Sequence, residues 1–337
     1  MNAFNFGFGW IGSMMMERVV SIRNRGFDKG RHVHDVGMPV VSVGNLSIGG
    51  TGKSPMVRWV ARQLLDSGHA PAIALRGYKS RDGVSDEAIE HEALLPNVSV
   101  LVGSNRVRTI ANAVQQGLPL DCIVLDDGFQ HRFVKRDLDI VLVDGRYPPD
   151  TDYVLPRGRL REPPGNLRRA DAVVVTHADH AAPTLRARIA ELHGDEPIAL
   201  CVHAWDNLTR IDRDGSGQVP VDALDGLRVV TRLGIARPEG VLGMLPMHGA
   251  TVVESLPARD HQAVTPADLN QLAALARNAD AIVVSAKDMA TMGPLLAVRA
   301  LPVPVLVPRL TLRFLSGEAS LRDRVERIFE DDRGQHP

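Results

Sequence analysis

The chain has 337 residues, enough for one large domain or for two smaller domains that each bury a core. Its formal net charge of −1 lacks the basic excess of proteins that bind nucleic acid through bulk electrostatics, so no nucleic-acid partner is expected. The sequence contains two cysteines, Cys122 and Cys201, without metal-ligand spacing. This argues against a disulfide framework and favours a reducing cytosol.

Residues 1–30 form a predicted N-terminal segment. Aromatic residues are concentrated in its first ten positions, and basic residues follow them. From Ala3 to Met16 there is no charge, but a membrane span needs about 20 apolar residues. A secretory signal is not expected either, because no basic residues precede the apolar run. An apolar face flanked by cations predicts a helix that lies in the membrane interface; an ordinary helix that caps the core is the alternative. The aromatic residues are Phe4, Phe6, Phe8 and Trp10, and the cations are Arg18, Arg23, Arg25, Lys29 and Arg31.

The stretch from Pro39 to Pro55 predicts a phosphate-binding loop, because an apolar strand runs into a glycine-rich turn and then into a helical pattern. Backbone N–H groups of such a turn converge on phosphate oxygens. Lys53 would reach the β- and γ-phosphates, and the Ser54 hydroxyl would ligate Mg²⁺. Ser47 stands where the usual pattern has glycine, and a glycine-rich turn with a surface lysine is the alternative. The predicted ATP-binding residues are Ser47, Ile48, Gly49, Gly50, Thr51, Gly52, Lys53 and Ser54.

A second apolar strand, from Cys122 to Leu125, ends in the acids Asp126 and Asp127 and then Gly128. In a P-loop enzyme such acids hold the Mg²⁺ that bridges the phosphates. Adjacent carboxylates point to opposite faces of an extended strand, so we expect one of them to face the metal unless the chain turns. A plain surface turn is the alternative.

Strands alternate with helical patterns along most of the chain, which predicts a parallel sheet covered on both faces. The polar, turn-rich segment from Arg213 to Pro220 is the predicted linker, and a second β/α series follows it. We therefore expect an α/β protein with a P-loop NTPase-type, mostly parallel sheet in residues 31–218 and a smaller α/β domain in residues 219–337.

Several blocks of this sequence, in this order, resemble those of the tetraacyldisaccharide 4′-kinases, the lipid A 4′-kinases of Gram-negative bacteria. The resemblance implies ATP-dependent phosphorylation of the 4′-hydroxyl of a lipid A disaccharide 1-phosphate precursor, with Mg²⁺. It also implies peripheral docking on the cytoplasmic face of the inner membrane, and no obligate protein partner is evident. The blocks are Val43–Pro55, Leu75–Tyr78, Leu125–His131, Arg136–Ile140, Leu160–Pro163, Asp260–His261 and Ala286–Asp288.

The same resemblance implies catalytic residues. His261 would accept the proton of the sugar hydroxyl, with Asp86 as its partner, and Lys53 would stabilise the transferred phosphoryl group. The resemblance implies Arg76, Lys79 and Asp260 as substrate-binding residues. From the residues alone, Asp260-His261 is more typical of a surface turn than of a base. Ser85-Asp86-Glu87 fits a helix N-cap equally well, and Arg76 and Lys79 fit a solvated loop equally well. The chain departs from the family pattern at Ala88, Arg159 and Gln262.

Two other classes of protein are alternatives. A P-loop switch or partitioning-type ATPase would act through protein partners, but Ile48 occupies the place of the signature lysine of that group. Ser285-Ala-Lys-Asp288 resembles a guanine-reading loop, although it also fits a strand end. A non-catalytic lipid-binding protein would explain the N-terminus but not the phosphate loop.

Overall fold

The chain divides into two units, and the first is built from two separate stretches of sequence. The computed structural model describes residues 8–77, 85–235, 237–260 and 262–330. The first unit comprises the described residues up to His203 and those from Leu312 onward, and the second unit comprises Ala204–Thr311.

Alternating strands and helices build the first unit, as the sequence pattern predicts. Its elements are α1 (Phe8–Asp28), β1 (Val40–Asn45), α2 (Lys53–Asp66), β2 (Pro71–Leu75), α3 (Asp86–Leu94), β3 (Ser99–Val102), α4 (Arg106–Gln115), β4 (Cys122–Asp126), β5 (Leu138–Asp144), β6 (Ala172–Thr176), α5 (Leu185–His193), the beginning of β7 (Ala199–Asp212) and α9 (Glu318–Glu326).

These strands pair in parallel in the order β7-β6-β5-β1-β4-β2-β3. Strands β1, β2, β4, β5 and β6 are buried along their whole length, as expected for continuous apolar runs in a sheet covered on both faces. The carboxyl ends of parallel strands meet at one edge, where open α/β sheets bind their ligands. The residues that follow β1, β4 and β6 are therefore brought together.

The second unit repeats this architecture on a smaller scale. Its elements are β8 (Gly215–Val219), β9 (Arg228–Arg232), α6 (Pro238–Met247), β10 (Thr251–Leu256), α7 (Pro266–Leu275), β11 (Ala281–Val284), α8 (Ala286–Leu296) and β12 (Val305–Ser316). The order β10-β9-β11-β12 is parallel throughout. The predicted α/β class, with a mostly parallel sheet and a smaller second α/β part, is confirmed.

The division of the chain differs from the predicted boundary between residues 218 and 219. The chain leaves the first unit after His203, within β7, and returns to it at Leu312, within β12. The predicted linker is wrong, because Gly215–Val219 forms β8, which pairs antiparallel with β7. Its turn residues connect a hairpin, and since β8 is exposed along most of its length, no apolar alternation marks it in the sequence.

Candidate active site

The loop between β1 and α2 has the backbone shape of a phosphate cradle. Gly49 and Gly52 have positive φ angles of 110° and 84°, a region that glycine enters without strain. Gly52 is the N-cap residue of α2 and has no side chain that could bond the first N–H groups of the helix. These N–H groups therefore stay available to a ligand. Gly49 and Gly50 are exposed, whereas Thr51 and Gly52 are buried. A loop of this kind at a helix N-terminus binds anions.

Side chains of β1 and β6 hold the loop in place through hydrogen bonds to Thr51. The Thr176 hydroxyl donates to the carbonyl of Thr51 at 2.9 Å. The Asn45 amide donates to the Thr51 hydroxyl at 2.8 Å. A Cβ atom added at Gly52 would lie 2.6 Å from His203 Nε2, so no other residue fits there without displacing this histidine.

Lys53, the first residue of α2, points to the acids at the end of β4. Its Nζ donates to Asn45 Oδ1 at 3.4 Å and lies 3.6 Å from Asp127 Oδ1. Ser54 follows in the first turn and is half-buried. The structure thus brings together Lys53 and one of the two acids that the sequence singles out.

Asp126 and Asp127 have different surroundings because the chain turns between them. Asp127 has a φ of 53°, which carries it out of the extended strand. Asp126 is buried at the end of β4, and His91 Nε2 lies 3.2 Å from its Oδ2. Asp127 accepts a hydrogen bond of 2.7 Å from Arg161, and its Oδ1 atom is buried without a hydrogen-bond partner in the described structure.

Cations dominate the electrostatics around Asp127. Burial alone would raise the pKa of Asp127, but the charges of Lys53 and Arg161 outweigh it and hold that pKa below its ordinary value. Burial lowers the pKa of Arg106, against the opposing charges of Asp127 and Asp126. Burial, together with the Arg106 and Arg136 charges, lowers the pKa of His131 to about 4. At neutral pH the site therefore presents an ionised Asp127 and a neutral His131.

Arg106 is a site residue that sequence reasoning missed, and for Arg161 it left open a cation for a lipid phosphate or a solvated loop. Arg106 opens α4 and donates to the carbonyl of Asp126 at 2.6 Å. Arg161 lies in the block Leu160–Pro163, which was the available signal, and also donates to Gln130 at 3.2 Å. Arg159 instead pairs with Asp152 at 2.9 Å, so the arginines of this segment have separate partners.

The remaining predicted residues have separate outcomes in the described structure. Lys79 and His261 lie outside the described residues. Asp86 begins α3, and its side chain is also outside the description; the preceding Ser85 occupies the N-cap position but makes no side-chain cap hydrogen bond. Arg76 follows β2 and is exposed, and its charge acts on Arg106 and His131, so it lies near the cluster. Asp260 belongs to the second unit, where it lies 3.6 Å from Lys287 Nζ.

The guanine-loop resemblance of Ser285–Asp288 has a structural explanation. These residues form a capping box at the start of α8, in which Ser285 and Asp288 bond each other's backbone. Asp288 is buried and also pairs with Arg232. Its carboxylate is therefore engaged in holding the fold of the second unit.

Helix α1 has two faces of different character. Ser13, Val20, Asn24 and Phe27 are buried along one side. Ile11, Met15, Val19 and Ile22, at helical spacing on the other side, are each more than half exposed. In the part of the chain that the structure describes, no helix has both the length and the apolar character that crossing a bilayer requires. The helix thus caps the core with one face and exposes an apolar stripe with the other.

Comparison with known proteins connects this site to one family. The family model for tetraacyldisaccharide-1-P 4′-kinase matches residues 8–330. A tetraacyldisaccharide 4′-kinase of Anaeromyxobacter dehalogenans is 39% identical over an alignment of 287 positions, which covers 78% of this chain and 75% of the relative. One from Syntrophotalea carbinolica is 33% identical, covering 98% of this chain and 93% of its own length.

A solved structure extends the similarity to the fold. The crystal structure of LpxK from Aquifex aeolicus in complex with ATP superposes with a TM-score of 0.73 at 27% identity, covering 95% of this chain and 98% of that one. Sequence and fold agree over nearly the whole length, and the family match spans the phosphate loop and Asp127. The chain therefore belongs to the tetraacyldisaccharide-1-P 4′-kinase family.

Proposed function

We propose that this protein transfers the γ-phosphoryl group of ATP to the 4′-hydroxyl of a lipid A disaccharide 1-phosphate precursor. Membership of the family supports the reaction, and the solved relative was crystallised with ATP. The observation that carries the proposal is the convergence of Lys53 and Asp127 beside a glycine loop at a helix N-terminus. Phosphoryl transfer needs positioning and charge neutralisation more than covalent chemistry, and this arrangement supplies both.

The donor set fits Mg²⁺, which prefers carboxylate, hydroxyl and phosphate oxygens. Asp127 has a buried oxygen without a hydrogen-bond partner, and the hydroxyl of Ser54 and the carboxylate of Asp126 are the further proposed ligands. When bound, Mg²⁺ neutralises the charge of the β- and γ-phosphates. Of the two carboxylates, we propose Asp127 as the stronger ligand, because one oxygen of Asp126 lies against His91.

The proposed roles of the chain's own residues follow from their chemistry. The N–H groups from Gly49 to Ser54 hold the phosphates, and the Lys53 ammonium stabilises the charge that develops on their oxygens. The imidazole of His261 accepts the proton of the 4′-hydroxyl, and Asp86 orients that imidazole and stabilises its charged form. Arg76, Lys79 and Asp260 bind the polar part of the acceptor.

The exposed stripe of α1 supports peripheral docking at a membrane, and we propose the cytoplasmic face of the inner membrane, where a lipid acceptor and ATP meet. Several arginines on or beside the helix are suited to anionic headgroups. Burial of the stripe residues Ile11, Met15, Val19 and Ile22 in the interface would remove their apolar surface from water.

The deciding experiment incubates the protein with Mg-ATP and a lipid A disaccharide 1-phosphate, and follows both ADP release and the mass of the lipid. We expect stoichiometric ADP and a lipid heavier by one phosphate, with a 4′-deoxy acceptor as the control. Steady ATP hydrolysis without any need for the acceptor would instead support a partitioning-type ATPase. Lipid binding without ATP consumption would support a non-catalytic lipid-binding protein.

A further inference from the structure

We infer that helix α1 positions the phosphate loop, through a segment that lies between them, and that Ser13 is the positioning residue. The inference rests on the proposed function only in that the ligand of the loop is Mg-ATP. We call the connecting residues 154–162 the bridging segment. It contacts α1 on one side and the phosphate loop on the other.

The first contact joins α1 to the start of the bridging segment. Ser13 is buried, its hydroxyl donates to the carbonyl of Val154 at 2.6 Å, and its oxygen accepts from the N–H of Arg157 at 3.2 Å. A Cβ atom added to the adjacent Gly12 would lie 2.9 Å from Pro156 Cγ, so the helix and the segment are in tight contact here. One hydroxyl thus satisfies both a donor and an acceptor of the segment's backbone.

A second contact holds the other end of the bridging segment. Glu162 is fully buried, and its carboxylate accepts hydrogen bonds from Asn24 at 3.0 Å and from Arg23 at 3.1 Å, both on α1. Burial alone would raise the pKa of Glu162, but the charge of Arg169 and hydrogen bonds from Arg169 and Asn24 hold it below the ordinary value. The segment is therefore attached to α1 at both of its ends.

Between these two ends the bridging segment pairs with the phosphate loop. The N–H of Ile48 donates to the carbonyl of Arg159 at 2.8 Å, and the N–H of Arg161 donates to the carbonyl of Leu46 at 2.7 Å. Leu160 and Ser47 form an antiparallel bridge between these bonds. Leu46, Val154 and Leu160 belong to one buried apolar cluster, which excludes water from the junction. The residue before Gly49 thus has its backbone fixed by a segment that α1 fixes in turn.

The bridging segment also supplies charge to the site, since the Arg161 guanidinium binds Asp127. A shift of the segment would move this cation and the backbone of Leu46–Ile48 together. We therefore expect α1 to influence the affinity for Mg-ATP, although no residue of α1 is among the proposed ATP ligands.

Two substitutions on the inner face of α1 test this inference. Ser13→Ala removes both hydrogen bonds to the bridging segment and the contact of the hydroxyl with the Gly9 carbonyl in α1. Gly12→Ala pushes Pro156 away while it raises the intrinsic stability of the helix. Ser67→Ala is the matched control, since Ser67 bonds Glu326 at 3.2 Å on an exposed surface. The readouts are the Kd of Mg-ATP by calorimetry without lipid, hydrogen exchange of residues 46–48 and 159–161, and the melting temperature.

We expect both inner-face variants to raise the Kd by about threefold to tenfold, which corresponds to the loss of one or two hydrogen bonds. Exchange at Ile48 and Arg161 should be faster, while the melting temperature of Gly12→Ala should stay at or above that of the wild type. If both variants bind Mg-ATP within about twofold of the wild type, the inference is overturned, since the loss of one hydrogen bond normally exceeds this. If Ser13→Ala does not fold, Gly12→Ala decides.

The result is separable from that of the proposed function. If the wild-type protein binds Mg-ATP but phosphorylates no lipid, the proposed function fails and the comparison of Kd values still decides the inference. If the wild-type protein phosphorylates the lipid and both variants retain their affinity, only the inference fails.

Discussion

The ammonium of Lys53 and the carboxylate of Asp127 lie 3.6 Å apart, at the carboxyl ends of neighbouring strands. Arg161 approaches the same carboxylate from the other side, at 2.7 Å. Two cations thus converge on one acid. The three side chains therefore form one electrostatic unit, and under the proposed function phosphate would give Lys53 a second anionic partner.

Replacing Lys53 by Ala should abolish measurable phosphoryl transfer, with a loss of at least about 10²-fold, because the ammonium stabilises charge that develops on the phosphate oxygens. The circular dichroism spectrum should stay unchanged. Lys135→Ala is the control, because Lys135 forms an exposed ion pair with Asp35 that contributes little to stability. Wild-type-like turnover in Lys53→Ala would remove the phosphate-loop assignment.

The substitutions Asp126→Asn and Asp127→Asn should both lower turnover, and Asp127→Asn should raise the Mg²⁺ concentration needed for half-maximal rate more strongly. The reason is that Asp127 faces Lys53, whereas Asp126 is buried against His91 and Arg106. A Mg²⁺ titration of each variant measures the difference. Equal and unshifted Mg²⁺ dependence would assign the pair to a structural turn.

His261→Ala should reduce turnover by about 10²–10⁴-fold with little change in ATP affinity, the usual span for loss of a general base. The acidic limb of the pH–rate profile should flatten, and Asp86→Asn should act on the same limb. The double variant should lose little more than the worse single variant, because groups that act as a unit are not additive. Fully additive losses would contradict the proposed pairing.

A triple variant, Ile11→Ser, Met15→Ser and Ile22→Ser, replaces most of the exposed stripe of α1 by polar side chains. We expect it to bind anionic vesicles more weakly than the wild type, as measured by flotation. Affinity for Mg-ATP should be unchanged, since these side chains point away from the core. Met247→Ser and Val298→Ser, at highly exposed positions of the second unit, are the matched controls. If the stripe variant floats with the vesicles to the same extent as the wild type and the controls, the stripe does not contact the membrane.

Acid should destabilise the protein partly through His203, whose pKa is lowered to about 3 by burial and by the neighbouring His177 and Arg146 charges. The unfolded chain takes up this proton below about pH 6.5, whereas the folded chain does so only near pH 3, so stability falls as the pH falls between these values. The loss is about 1 kcal/mol per pH unit well below pH 6.5. His203→Asn should flatten this slope in urea unfolding at pH 5 to 7; an identical slope would contradict the assignment.

Local sequence was sufficient for the parts of the fold that depend on local chemistry. Buried strands read as continuous apolar runs, and the glycines before Lys53 fix the loop through their own backbone freedom. The polar hairpin of β8 was missed because neither of its faces is buried well enough to leave a pattern.

The contacts of the site depend on residues that are distant in sequence. Arg161 reaches Asp127 across 34 positions, and Ser13 reaches Val154 across 141. No periodicity or spacing encodes such pairs. The turn at Asp127 is an intermediate case, because Gly128 hinted at it but only the backbone shows which acid faces Lys53.

The two faces of α1 have a practical consequence for anyone who shortens the chain to obtain material that needs no detergent. Removal of the first 20 residues would delete most of the exposed apolar stripe of α1, but it would also delete Ser13 and the buried Val20. Loss of activity in such a preparation would then report on a damaged nucleotide site as much as on lost lipid contact. Polar replacement of the outer stripe keeps the two effects apart.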